Sequence, residues 1–516
     1  MQLQQCRVEM MDRKKTDKTD FLIVGSGFAG SILAMCLIKI GYNVCLVEKK
    51  RHPRFAIGES STPIADMILR DLAKEYNLPF LNKISRYGDW QRNYPEVVCG
   101  LKRGFSYYQH TKGTPFKKDK EHTKDLLVAA SVDDKNSDTN WLRSDVDHFL
   151  VKKAVETGVI SYERTEVTGL TRMPEKNRWK VVLKDSEDII RIEAEWIIDA
   201  TGSPEFSNRF LGTSVTDDPF YTNSSAIFTH MHDVSHWSDQ LHKIGHHTED
   251  YPYNPDHSAL HHLIDEGWIW MLRFKNDLLS CGFMLDGDMA EKGNHQAPDE
   301  VWWNTINSYP SLREIFKKWE IAKLPGRFIQ TERLQRLLTN NHGDGWIALN
   351  HTTGFVDPMH STGIAHSLKG IEDLLSIFNS KQRNLSEVNK RLDKMYEITR
   401  KEISLIDKMV SMAYTSRFDF ELFHAAVMLY FVATVQYEQK RLREEKPEAF
   451  LCATDAVIDE LVTITHRELN SMKGNFDKKS RHSFIQKLKK RVDPLNRVGL
   501  MDNAKNHMYR HTAVTL

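Results

Sequence analysis

The sequence predicts an α/β fold with a Rossmann-like unit near its N-terminus and a helical C-terminal region. Three observations carry that reading: an apolar run, a glycine turn and a helical pattern in succession over residues 21–40; a second apolar run, Trp196 to Asp199, that ends in Ala200-Thr201-Gly202; and helical periodicity from Ser376 onward. At 516 residues the chain is too long for one small core and suggests two to three domains, or one large two-part molecule.

The N-terminal unit comes first. Phe21-Leu22-Ile23-Val24 fits a buried parallel strand, and Gly25-Ser26-Gly27-Phe28-Ala29-Gly30 follows it directly. A helical pattern runs from Ser31 to Ile40, Gly41 stops it, and a second strand spans Asn43 to Val47 ahead of Glu48. Gly25 allows the tight turn, Gly27 lets the backbone approach a pyrophosphate, and Gly30 lets helix and strand pack closely. The free N–H groups at the helix start, with Phe28 and Ala29 in its first turn, suit phosphates. Glu48 stands where an acid accepts hydrogen bonds from a ribose. This is a dinucleotide site. The position of the turn near the N-terminus and the later Ala-Thr-Gly strand favour FAD over NAD.

Composition narrows the remaining classes. Apolar content of 40% with 27% charged residues describes an ordinary globular protein, and a net charge of +1 gives a nucleic-acid role no electrostatic support. The apolar run Ala425 to Val435 is far short of a bilayer span and predicts a buried helix. Residues Met1 to Asp20 are polar, with Arg13, Lys14, Lys15 and Lys18, and carry no apolar signal core. Six cysteines (6, 36, 45, 99, 281 and 452) show no paired spacing, which is reduced-thiol usage and points to the cytoplasm.

Four further segments carry chemistry. Trp141-Leu142-Arg143-Ser144-Asp145-Val146-Asp147 opens a helix, and Arg143 reads equally as a group near a flavin or as a surface charge at a helix start. Gly58-Glu59-Ser60-Ser61-Thr62-Pro63 opens a helix over Ile64 to Tyr76, with hydroxyls placed to cap it. Gly267-Trp268-Ile269-Trp270-Met271-Leu272-Arg273 puts two tryptophans on one side of an alternating strand. Gly354 to Ile364 ends in a backbone turn at Thr362-Gly363 and leads into a helix from Ile364 to Phe378.

Taken in order over residues 19–375, these segments resemble the flavin-dependent halogenases, and most closely the pyrrole- and phenol-halogenating branch. The resemblance implies an FAD-binding domain of the aromatic-hydroxylase type with an inserted mixed β-sheet substrate domain. It further implies FADH2 from a separate flavin reductase, O2 as co-substrate, chloride or bromide, and a small aromatic substrate, free or carrier-tethered. In such enzymes reduced flavin and O2 give a flavin hydroperoxide, halide attacks its terminal oxygen, and hypohalous acid passes to the substrate. A buried lysine holds that oxidant. Lys102, in Gly100-Leu101-Lys102-Arg103-Gly104-Phe105, matches the position. A desolvated amine can do this chemistry, whereas Arg103 stays protonated. The competing reading makes Lys102 and Arg103 two solvated surface cations.

By the same resemblance Gly58, Glu59 and Ser60 line the flavin, and Asp357 and Ile364 lie beside it. Trp268 and Trp270 shape the tunnel between flavin and substrate, with core packing as the alternative. Backbone N–H groups at Thr362 and Gly363 face the halide. The chain departs from the pattern in three places: Leu272-Arg273 replaces Ile-Pro, Asn350-His351 replaces Gly-Asp, and His360 stands where tryptophan halogenases carry a glutamate. That last change argues against free tryptophan as substrate. His360 reads either as a base toward a phenol or pyrrole or as a packing residue beneath the flavin.

The expected organisation is a flexible tail at 1–18, the FAD-binding domain at 19–375 with its inserted sheet at about 95–130 and 205–330, and a helical region at 376–516 covering the substrate cavity. Within the last, apolar residues including Phe418, Phe420 and Phe423 are expected mostly in the core with some lining the acceptor pocket, and the charged run Glu438 to Lys446 as a solvated helix end. The histidine-rich stretch (242, 246, 247, 257, 261, 262) matches no compact zinc motif and reads as a substrate-domain surface or loop, with His261 and His262, just before the tryptophan strand, as candidates to reach the substrate cavity; no metal is expected. Two alternatives stay open, a flavin monooxygenase or other oxidoreductase of the same fold and a non-catalytic flavoprotein.

Overall fold

A computed structural model describes residues 17–186, 188–217, 220–287, 296–379, 384–472 and 476–514. Its first sheet is built around the strand Lys18–Val24, which pairs in parallel with Val44–Glu48 on one side and Ile189–Asp199 on the other. Ile160–Glu163 and Trp346–Ala348 extend it in parallel at the two flanks. The central strands are buried over residues 21–23, 44–48 and 196–199, which is why those stretches read as nearly unbroken apolar runs. Helices Arg143–Thr157, Phe28–Ile40, Gly363–Ile377 and Pro63–Glu75 pack one on the next in that order. The antiparallel strands Glu166–Met173 and Arg178–Lys184 continue the sheet from Ile189–Asp199.

The second sheet has nine strands and is mostly antiparallel. Ser224–His232, Leu279–Asp286, Gly267–Arg273, Ala259–Ile264, Gly104–Gln109 and Asp125–Ala129 follow one another across it. Period-two alternation separates its faces. Trp268, Trp270 and Leu272 join the core shared with the first domain, while Ile269 and Met271 join a separate outer core under the helices Trp237–Lys243, Pro298–Asn307 and Pro310–Ile315. A short strand, Met508–Tyr509, adds to the edge beside Asp125–Ala129, so the C-terminal region is not wholly helical.

Four long helices make up most of that region: Leu385–Ser416, Phe420–Leu442, Ala456–Ser471 and Lys478–Val492. Each begins where Asn384, Asp419, Asp455 or Asp477 accepts a backbone N–H of its first turn, which satisfies donors the helix leaves open. Phe420–Leu442 is long and apolar enough to cross a membrane, and its apolar window is 83% buried inside the protein.

Here the structure corrects two expectations. Glu438 and Arg441 are buried, not solvated; Arg441 forks onto Glu372 at 2.8 and 3.0 Å and reaches Asp71 at 2.5 Å, tying three helices together. Phe418 is 59% exposed under the Arg417 guanidinium, whereas Phe420 and Phe423 are core.

Candidate active site

A cavity of about 790 Å³ opens between the two sheets, a size suited to a bound organic cofactor. Gly25, Gly27, Phe28 and Ala29 line one end with Glu48; Gly58, Glu59, Ser60 and Arg143 line its side. Asp357, Gly363 and Ile364 contribute from the segment before the helix Gly363–Ile377, and Trp268 and Trp270 from the second sheet. Of the eighteen positions expected at one site, fourteen line this cavity, and four, Gly30, Lys102, His360 and Thr362, stand behind the lining.

The glycine turn is sterically determined. Gly25 has φ +103°, and a Cβ there would lie 2.6 Å from the Ala200 carbonyl oxygen; a Cβ on Gly30 would lie 2.1 Å from the carbonyl oxygen of Gly25. Around the turn the charges are locked. Asp147, fully buried, accepts the Phe28 N–H at 3.1 Å and pairs with Arg143 through two bonds of 2.8 and 2.9 Å. The Arg143 guanidinium continues to the carbonyls of Ile57 and Gly58. Arg143 is therefore a buried organiser of the turn and not a surface charge.

Glu48 is held by Ser26 and by Arg54, whose guanidinium also lies 3.5 Å from Asp147. Arg54 lines the cavity beside Gly27, and sequence reading missed it; the signal was a cation six positions after the strand-end acid. Arg336 was missed too. It lines the cavity, donates to the carbonyls of Gly202 and His351 at 2.8 and 2.9 Å, and leaves Nε buried with no partner among the described residues. Burial pulls it down to about 10. Two arginines beside the glycine turn, the acid at the second strand and the unsatisfied Arg336 donor fit an elongated, anionic dinucleotide such as FAD.

His351 lies in the same wall, beside Gly202 and Gly363. Desolvation first, then Arg336 and Arg143, push its imidazole down to about 3. The other departure, Arg273, is absorbed by the sheet: it donates to the carbonyls of Val234 and Ser235 and to Asp256. His261 and His262 lie on the buried strand Ala259–Ile264 and not on a surface loop; His261 lines the cavity. Among the described residues no group of three or more His, Cys, Asp or Glu could hold a metal.

At the helix start, Ser361 is left-handed (φ 51°) and its hydroxyl donates to Ser60 at 3.0 Å. Thr62 precedes Pro63–Glu75 at the cap position but makes no side-chain cap bond. Asp357 binds the Met359 N–H at 3.0 Å, Ser224 at 2.8 Å and Tyr414 at 2.9 Å, and Tyr414 also receives the Trp268 indole N–H. One carboxyl so joins the first domain, the inserted sheet and the C-terminal helices. Burial raises it to about 6 despite those bonds.

Because the folded value lies above the ordinary 3.8, the folded state binds the extra proton; stability from this group is full below pH 4 and falls as pH rises to about 6. Asp357→Asn keeps the Met359 bond, and both hydroxyls can turn to accept from the amide. We expect it to gain up to about 3 kcal/mol over wild type between pH 4 and 7. Denaturation curves across that range check this, and a pH-independent difference would refute it.

Lys102 lies behind the wall. It is fully buried at the end of Cys99–Lys102, donates to the Ser61 carbonyl at 2.5 Å and sits 4.1 Å from the Phe105 ring centroid. No carboxylate lies within 4 Å of it among the described residues. Burial lowers it to about 8, against the opposing pull of Asp138 and Asp66. His360 stacks on Tyr430 at 4.6 Å, and burial pushes it down to about 3. Both are one layer from the cavity, Lys102 through Ser61 next to the lining residue Ser60.

A glycine-turn cavity with buried arginines, closed by a tryptophan-bearing sheet, defines an FAD enzyme of the aromatic-hydroxylase type. A family model described as tryptophan halogenase matches residues 142–419, and the chain belongs to that family of flavin-dependent halogenases. It is 28% identical over 426 residues to monodechloroaminopyrrolnitrin halogenase of Pseudomonas fluorescens, covering 81% of this chain and 71% of that one. It is 24% identical to tetracycline 7-halogenase of Kitasatospora aureofaciens, covering 81% and 73%. The fold matches the crystal structure of halogenase PltM in complex with phloroglucinol and FAD, at TM-score 0.82 and 22% identity, over 95% of this chain and 99% of that one.

Proposed function

We propose that this enzyme chlorinates or brominates an electron-rich aromatic of phenol or pyrrole type, with Lys102 carrying the oxidant. The observation that carries the reading is a fully buried amine one residue behind the cavity wall, hydrogen-bonded to the Ser61 carbonyl and partly neutral near physiological pH. When bound and reduced by a separate reductase, FAD supplies the electrons with which O2 oxidises halide to hypohalous acid. Gly25, Gly27, Arg54 and Arg143 would hold its phosphates and Glu48 its ribose.

The remaining steps belong to side chains and backbone. The N–H groups of Thr362 and Gly363 make no hydrogen bond among the described residues and would receive the halide. Trp268 and Trp270, 6.2 Å apart by ring centroid, narrow the passage and keep the aromatic substrate from the flavin. Lys102 takes the small oxidant from the far side of Ser60 and presents it beyond the wall. His360, neutral at working pH, packs against Tyr430 and offers an acceptor to a phenol O–H or pyrrole N–H. Phenol and pyrrole substrates are supported by the relative named for monodechloroaminopyrrolnitrin and by the phloroglucinol held in the PltM complex.

The test is a mass-spectrometric product screen. Purified enzyme, FAD, a flavin reductase, NADH and O2 meet a panel of phenols, pyrroles and carrier-bound pyrroles with chloride or bromide. A halogen isotope pattern that follows the added salt is expected. A product heavier by one oxygen, with turnover indifferent to halide, would overturn the proposal.

A further inference from the structure

Lys102 does not stand alone in its chamber. We propose that Asp138, held in place by the Asp66 carboxyl, is the positioning residue that fixes the charge state and reach of the Lys102 amine. The inference rests on Lys102 as the carrier, and its test below does not need a halogenated product.

The geometry comes from three neighbouring segments. Cys99–Lys102 and Asp138–Trp141 form an antiparallel ribbon in which Lys102 is directly opposite Asp138, so the two side chains share a face. On the other side of Asp138–Trp141, Ser61 donates its N–H to the Thr139 carbonyl and Ser60 bridges to Asn140. The Lys102 side chain therefore crosses the middle strand above Asp138 to reach the Ser61 carbonyl. Asp138 is 1% exposed and Asp66 3% exposed. Asp66 Oδ1 and Asp138 Oδ2 are buried and receive no hydrogen bond among the described residues, and each carboxyl acts on the charge of the other, so the pair is relieved if one of them keeps its proton and shares it with its neighbour.

Charge arithmetic says which. Besides Lys102, the chamber is faced by Asp66 and the more distant Arg70 from the helix Pro63–Glu75, by Arg86, by Tyr430 and Glu438 from Phe420–Leu442, and by neutral His261 and His360. Three carboxyls around one amine cannot all ionise without water. Burial first, then Asp138, drives Asp66 well above its usual range, and burial with Asp138 does the same to Glu438. Asp138 rises only to about 6 and is the remaining anion at neutral pH. Asp66 donates; Asp138 accepts and faces the ammonium. The pair lies outside the cavity lining, so it touches neither cofactor nor halide and acts through Lys102 alone.

The experiment is a titration of Lys102 in the full FAD-loaded chain carrying ¹³Cε-labelled lysine, with the resonance assigned by its loss in Lys102→Met. In Asp138→Asn the midpoint should fall by at least about one pH unit, the shift a nearby opposite charge produces. Asp66→Asn, which still donates to Asp138, should leave the midpoint in place. Asp66→Ala removes the donor, lets Asp138 take up the proton, and should lower the midpoint. The two Asp66 variants decide the matter even if Asp138→Asn does not fold. The Lys102 limb of the halogenation pH profile should move with the titration. An unchanged midpoint in Asp138→Asn, or equal midpoints in the two Asp66 variants, overturns the proposal whatever the products are. A shifted midpoint in an enzyme that makes no halogenated product would instead refute the halogenase reading alone.

Discussion

Replacing Lys102 by methionine should lower halogenation by at least about 10³-fold while leaving FAD binding and flavin reoxidation intact. Methionine keeps most of the volume over the Phe105 ring, so the chamber does not collapse, and Asp138 can take a proton once its counter-charge is gone. The cavity lining contains no atom of Lys102, which is why cofactor affinity should be unaffected. Three readouts are needed together: flavin absorbance of the purified protein, the rate of reduced-flavin oxidation, and halogenated product by mass. Product above a tenth of wild type would remove Lys102 from the mechanism. Loss of flavin along with product would show that the substitution had damaged the fold.

An equally severe effect is expected at Gly30, for a reason unconnected with chemistry. Alanine there would place its Cβ 2.1 Å from the Gly25 carbonyl oxygen and 3.3 Å from the Ala200 Cβ. Both neighbours directly follow central strands of the first sheet and are tied to it, Gly25 donating to Val47 and Ala200 to Val24, so the helix Phe28–Ile40 would have to lift off the turn. Gly30→Ala should purify without flavin and lose at least about 1–3 kcal/mol of stability. Full flavin content in Gly30→Ala would show that the turn is less tightly packed than its geometry requires.

Sequence and structure agree best where the cause is local. The nucleotide unit was legible because a buried parallel strand, a turn that only glycine can make and a helix start occur within twenty residues. The two tryptophans were legible because alternation fixes which strand residues share a face. Other parts depended on distant contacts. Nothing in the order of residues says that Asp138 lies opposite Lys102, because strand register is set by the whole ribbon. Arg54 and Arg336 reach the cavity from loops and short strands that carry no periodic signal. Glu438 and Arg441 sit in a run of charges that normally marks a wet helix end; they are buried because Glu372 and Asp71 approach from two other helices. Phe418 erred the other way, an aromatic at a helix junction whose neighbours face inward while it does not.

The strand Gly267–Arg273 serves two cores at once, its even-numbered residues facing the cavity and its odd-numbered ones the outer layer. This divides the evolutionary freedom of the site. A change of residue type at 268, 270 or 272 remodels the passage without disturbing the layer behind it. Gaining or losing one residue exchanges the faces of the strand and spoils both cores together. Lineages with such a sheet can diversify their substrates by substitution, while length variation is confined to the connecting loops.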